Sequence, residues 1–145
     1  MASGLYASTF LDVWALSLTT LDFEDETHQW ALYNASRVPD YNANTAYSAT
    51  NEIVGTGYTA KGKVVTGTTL AKLAAVVTYD SDAVSWPSST LTNVRHVDMF
   101  AETVTAPIAD PLMIGMDLGL NYSTNDGTLA ITPHANGLFT ADFTP

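Results

Sequence analysis

Between Thr92 and Leu120 the apolar residues recur at every second position, a period that fits a strand and excludes a helix. In "TNVRHVDMFAE", Val94, His96, Asp98 and Phe100 fall on one side, and Arg95, Val97, Met99 and Ala101 on the other. In "PLMIGMDLGL", Leu112, Ile114, Met116, Leu118 and Leu120 face one way, and Met113, Gly115, Asp117 and Gly119 the other. Pro107 and Pro111 bracket a turn between the two runs. "STNDG" is a hairpin signal, with Asp126-Gly127 suited to positive φ, and Asn136-Gly137 marks a second turn between "TLAITP" and "LFTADF". Upstream, "HQWALYN", "KGKVVTG", "TLAKLAAVVTYD" and "DAVSW" read as further strands, with a break at Gly67 and an end at Pro87. The sum is about eight strands with turn signals at short intervals: a mainly β, antiparallel sandwich of jelly-roll type. No βαβ alternation, internal repeat or linker divides residues 1–145, and that length suits a single domain with its own core.

One segment breaks the β pattern. From Leu5 to Leu21 the residues Tyr6, Phe10, Val13, Trp14, Leu18 and Leu21 follow an amphipathic helical stripe, with Ser8 as a capping residue near its start. The acidic run Asp22 to Glu26 ends this short N-terminal helix, because carboxylates are unfavourable at a helix C-terminus. Whether the helix packs on its own sandwich or docks on a neighbour is open at this level. "RVPDYNANTAYSATNE", Arg37 to Glu52, has little periodicity and reads as a long surface loop carrying Tyr41 and Tyr47 as contact residues.

Charge narrows the partners. Fifteen acids against five bases give a net charge of −10, which argues against nucleic acid and against an anionic membrane surface. The N-terminal apolar run lacks a basic start and is broken by Asp12 before it reaches membrane-spanning length, so neither an export signal nor a membrane span is expected. The sequons at Asn34 and Asn121 then read as chance matches. There is no cysteine, hence no thiol chemistry and no need for an oxidising compartment. Only 14% of residues are charged, against about 25% in an ordinary soluble domain, and such a surface suits a chain that covers itself with partners.

The candidate chemistry is thin. "IVGTGYTAKGKVVTG", Ile53 to Gly67, holds four glycines and two lysines, but Val64 stands where a phosphate loop needs Ser or Thr, and a β-branched run follows instead of a helix. Its glycines are expected to relieve crowding at a bulge or turn. Asp22, Glu24, Asp25, Glu26 and His28 cluster without the spacing of a calcium loop, and Asp80 and Asp82 do not complete one, so no metal and no cofactor is expected. His96 and Asp98 share a strand face at a spacing that suits half of a general-base pair, or a structural polar contact. Trp14, Trp30 and Trp86, with Tyr33, Tyr58 and Tyr79, suit a core or a sugar-binding face. No nucleophile elbow is present, and the chain is not expected to be an enzyme.

The order of several segments resembles one family of small tailed-bacteriophage structural proteins. They are "ALYN", "VGTGYTAKGKVVTGTT", "YDSDAVSWPSSTLTNVRHVDMF", "PLMIGMDLG" and "TLAITPHANGLFT", and the likeness spans about Phe10 to Phe139. The chain departs from the family pattern at Lys61, in the Tyr41–Glu52 loop and at Pro133 to Gly137. The resemblance implies a β-sandwich virion component present in many symmetric copies and assembled in a host cytoplasm. Major capsid protein or other virion proteins would be its partners, and homo-oligomers are expected. The expected role is capsid decoration, with Tyr6, Phe10, Trp14, Tyr41 and Tyr47 as partner contacts. A neck or tail component and a carbohydrate-binding jelly-roll module are the alternatives.

Overall fold

The computed structural model describes residues 3–14, 20–25 and 27–144, with only the backbone of Trp14. The fold is mainly β and sandwich-like, with antiparallel sheets and one short helix. In chain order the elements are β1 (Gly4–Leu5), α1 (Ala7–Trp14), β2 (Gln29–Asn34), β3 (Lys63–Val64), β4 (Thr69–Leu73), β5 (Val76–Asp80), β6 (Val84–Ser89), β7 (Val94–Phe100), β8 (Leu112–Tyr122), β9 (Gly127–Ile131) and β10 (Phe139–Asp142). They form a five-stranded sheet β1-β8-β7-β2-β3, a three-stranded sheet β10-β5-β4 and a pair β6-β9.

The five-stranded sheet is covered on both faces, and β2 shows how. Trp30 and Leu32 point into the main core with Tyr79, Val84, Trp86, Val97, Met99 and Leu129. Ala31 and Tyr33 point the other way, into a smaller cluster with Tyr6, Phe100 and Leu112. A strand buried on both faces has no polar alternation to display, and "WALY" has none. Each fully buried large apolar side chain contributes about 1.5–3 kcal/mol, so the two clusters together dominate the fold's stability.

The alternation in β7 and β8 holds except at two bulges. A register shift between Val94 and His96 moves Val94 into the main core beside Val97 and Met99, leaving His96, Asp98 and Phe100 on the opposite face. A second shift, where Phe100 pairs Leu112 and Met99 pairs Ile114, makes Met113 the extra residue. Leu112 therefore joins the smaller cluster, while Met113 and Ile114 face the main core. A bulge lets a strand change the face it buries without breaking the ladder.

Other expectations are corrected. "TLAKLAAVVTYD" is a hairpin, β4 and β5, turning at Ala74 with φ 54°. Strand β6 runs through Pro87, its pairing with β9 shifting between Trp86 and Ser89. The helix is shorter than 5–21: Gly4 and Leu5 pair with β8 instead, and α1 begins at Ala7, so Ser8 lies within its first turn with its Oγ buried and unpartnered. Leu18 lies outside the described residues. No described helix is long and apolar enough to cross a membrane.

The Arg37–Glu52 loop is not a free surface loop. It lies along the smaller cluster, held by the Tyr47 N–H on Asp110 O (2.9 Å), the Leu112 N–H on Thr45 O (3.0 Å) and the Ala7 N–H on Tyr41 O (2.9 Å). Glu52 closes it. Its carboxylate accepts from the Tyr58 hydroxyl (2.6 Å), the Lys61 N–H (2.7 Å) and the Tyr47 hydroxyl. The glycine-rich stretch thus begins by threading around Glu52 and only then enters β3.

Candidate functional site

The one place where sequence suggested proton transfer is sealed. His96 and Asp98 are both fully buried on the inner face of β7. Asp98 Oδ1 accepts from the Tyr6 hydroxyl (2.7 Å) and from His96 Nε2 (3.1 Å). Asp98 Oδ2 accepts from Arg37 Nη2 (2.8 Å) and Nε (3.1 Å). Because a carboxylate can only accept, His96 Nε2 carries the proton of this bond, and its Nδ1 is buried without a partner. Burial, then the negative charge of Asp98, hold the Tyr6 phenol far above its ordinary range. Burial disfavours the Arg37 cation, but the charge and hydrogen bonds of Asp98 and Tyr6 together outweigh it and hold the guanidinium protonated. Three donors on one enclosed carboxylate form a structural knot without access for a substrate, which removes the His96–Asp98 pair as a catalytic candidate.

The expected contact residues divide unevenly. Tyr6 is a correction: fully buried, it serves this knot and presents nothing to a partner. Tyr41 is half-buried, its ring 4.9 Å from that of Tyr6, and burial pushes its phenol up to about 12. It also packs on Gly115, where an added Cβ would lie 2.8 Å from the ring. Tyr47 is half-buried against Phe100, with ring centroids 4.7 Å apart. The Trp14 side chain lies outside the described residues. Phe10 alone lies at an open surface. It packs against Phe23 (5.6 Å) and edge-on to Phe139 (5.6 Å).

That surface is a groove of about 600 Å³ between α1 and the β10-β5-β4 sheet. Leu5, Phe10 and Val13 form one wall, and Val77, Phe139 and Phe143 the other, with Phe23 between them. None of its described lining residues is charged. The register explains the sheet side: Leu70, Tyr79 and Phe139 sit opposite one another across three strands, and so do Lys72, Val77 and Ala141, so these residues share the face turned to α1. Leu11 (65% exposed), Leu70 (42%) and Phe143 (67%) rim the groove, and Leu73 (83%) stands at the end of β4. Isolated surface hydrophobics are ordinary, but three rimming a groove with no charged residue in its described lining make it a candidate contact surface, whereas Leu73 belongs to the other face of β4. Sequence pattern pointed at Phe10 but not at this surface, because Leu70 and Phe143 meet only once β4, β5 and β10 pair.

Most of the basic side chains are occupied within the chain. Lys61 Nζ pairs with Asp110 (2.8 Å) and Glu102 (3.2 Å), Arg95 with Asp117 (2.7 Å), and Lys63 Nζ donates to Ser85 O (2.7 Å). With Arg37 on Asp98, four of the five basic side chains are engaged internally. Among the described residues no group of three or more His, Asp or Glu is placed to hold a metal ion. Trp30 and Trp86 are core residues, so neither offers a stacking face for a sugar. Comparison of the chain with protein-family models, with curated proteins and with solved structures returned no match.

Proposed function

We propose that the protein is a structural component of a tailed-bacteriophage virion, a capsid accessory protein that binds the assembled head lattice non-covalently and bridges major capsid subunits. The observation that carries this reading is the groove at the α1 end, none of whose described lining residues is charged, with Leu11, Leu70 and Phe143 exposed around it. In a chain of net charge −10 the groove admits an apolar partner surface, with Lys72 of the same sheet face as the charge that such a partner must leave solvated. The acids elsewhere either face solvent or meet a basic patch on the capsid, which speeds and orients docking. The segment order shared with small phage structural proteins supports the same class. The mechanism is mass action: a subunit that binds only the assembled lattice stabilises it by about 2.7 kcal/mol per site at a hundredfold excess over Kd. A neck or tail component would use the same surface and would differ in copy number.

Purified protein mixed with emptied particles tests this. It is expected to co-sediment with expanded heads and not with unexpanded ones. Leu11→Asp and Phe143→Asp alter exposed positions at the groove, so they keep the fold and are expected to weaken retention at least tenfold, about 1.4 kcal/mol. Equal retention by both forms of the head, no retention by either, or full retention of both variants would overturn the proposal.

A further inference from the structure

His28 is 1% exposed, a buried imidazole beside the acidic turn, and the Asp98 knot does not involve it. Its Nε2 donates to Asp22 O (2.8 Å), which fixes the neutral tautomer, and its Nδ1 is buried without a partner. That hydrogen bond, with the Thr27 N–H on Asp25 Oδ1 (3.1 Å), ties the start of the main sheet to the turn Asp22–Asp25. The turn in turn holds two structural parts. Phe23 is wedged among Phe10 (5.6 Å), Tyr79 (5.4 Å) and Phe139 (6.2 Å), between α1 and the three-stranded sheet. Glu24 lies along the outer edge of β4, where its carboxylate accepts the Leu70 N–H (3.2 Å) and its carbonyl accepts the Thr68 hydroxyl (2.6 Å).

We propose that His28 is an acid-sensitive latch: protonation of its buried Nδ1 releases the Asp22–Asp25 turn, withdrawing Phe23 from the groove and Glu24 from the β4 edge. The added N–H would sit at a nitrogen that is buried without a partner, and an unmatched buried donor disfavours the closed turn. The charged groups acting on the ring are the Asp22 and Asp25 carboxylates of its own turn, both of which favour the cation. Glu24 is turned away to β4. From β3 the neighbour is Val65, whose N–H bonds His28 O (2.8 Å), and beside it Thr27 meets the Thr103 hydroxyl (3.0 Å). Burial outweighs the two carboxylates and holds the imidazole below its ordinary 6.5. The closed turn therefore binds fewer protons than the open one. Closure is complete above about pH 6.5 and weakens as pH falls through and below that value, by at most about tenfold per pH unit for one proton.

Hydrogen exchange resolved by residue, corrected for intrinsic rates, reads the latch directly. Between about pH 7.5 and about pH 5.5, Leu70 and the 22–25 amides are expected to lose protection by up to about tenfold, while the β2 and β7 amides keep theirs. Over the same range the neutral fluorophore N-phenyl-1-naphthylamine is expected to brighten as the groove opens. His28→Gln keeps a donor for Asp22 O without a titratable nitrogen, and its profile should be flat. Imidazole NMR of the unaltered chain is the second readout, with the His28 midpoint matching the opening. Unchanged protection in the unaltered chain, the same pH profile in His28→Gln, loss of core and turn protection together, or a His28 midpoint outside the opening range would each overturn the proposal.

Discussion

Asp98→Ala is expected to lower stability by about 3–5 kcal/mol, the cost of leaving a buried cation without its partner. Arg37 is only 8% exposed and loses both its bonds to Oδ2, while Tyr6 and His96 lose the acceptor they share. For a domain of this size each kcal/mol moves Tm by roughly 3 °C, so thermal unfolding should fall by about 10–15 °C. Asp98→Ala combined with Arg37→Met removes both charges and should lose less than the two single changes added together, which a double-mutant cycle measures. A shift below about 3 °C for Asp98→Ala, or strict additivity, would show that the knot contributes little. The distinction matters for the architecture. Tyr6 connects the N-terminal arm, Arg37 the start of the long loop, and Asp98 the centre of the main sheet, so one carboxylate sets the position of three segments far apart in sequence.

Gly62→Ala is the second large effect. Gly62 has φ +82°, and a Cβ there would lie 1.7 Å from the carbonyl oxygen of Trp30. The backbone conformation costs a non-glycine residue about 1–2 kcal/mol, and displacing the central backbone of β2 adds about 1–3 kcal/mol of overpacking. A total near 2–5 kcal/mol, with Tm lower by roughly 6–15 °C, is the expected result. Gly127→Ala is the control: nothing lies within 3.7 Å of its Cβ position, and a change within about 1 kcal/mol is expected. Equal effects at the two sites would refute the steric account of the glycine-rich stretch. Gly62 serves close approach to β2, while Gly55 packs on Thr90, Gly57 on Ser89 and Gly67 on Asp82, so each glycine has a steric reason of its own.

Much of the β architecture is legible in sequence because it depends on a period of two, and a period survives local error. β7 and β8 are where their alternation places them, and the hairpin signal at Asp126-Gly127 precedes β9 directly. The errors fall where tertiary contact overrides local pattern. The bulges at Val94 and Met113 reverse which face is buried, and a bulge leaves no residue signature of its own. The β4–β5 turn uses Ala74 at positive φ, a residue that no turn rule would select. Strand β1 is two residues long and draws its stability from the β8 edge, so a helical stripe that begins at Leu5 hides it.

The polar knot was half visible. An aspartate in the middle of a strand face otherwise carrying Val, His and Phe needs a partner, and the chain has only five basic residues to supply one. The spacing of His96 and Asp98 suggested half of a general-base pair or a structural polar contact, and nothing local identifies Arg37, which lies 61 positions away. The exposed end is the opposite case. Nothing local distinguishes Leu70 or Phe143 from core residues, and they become a surface only because β4 and β10 are the outer strands of their sheet. Of the tyrosines expected as contacts Tyr6 is fully buried, while Tyr41 and Tyr47 are half-buried in a loop that is bonded down along its length.

The virion reading is tested most directly by cryo-electron microscopy of intact particles carrying this protein, with symmetry-averaged density inspected over shell, neck and tail. The account predicts one copy of the sandwich at every equivalent site on the head surface, with the α1, β4 and β10 end seated against major capsid subunits. Density confined to the neck or tail, or its absence from the particle, would contradict it.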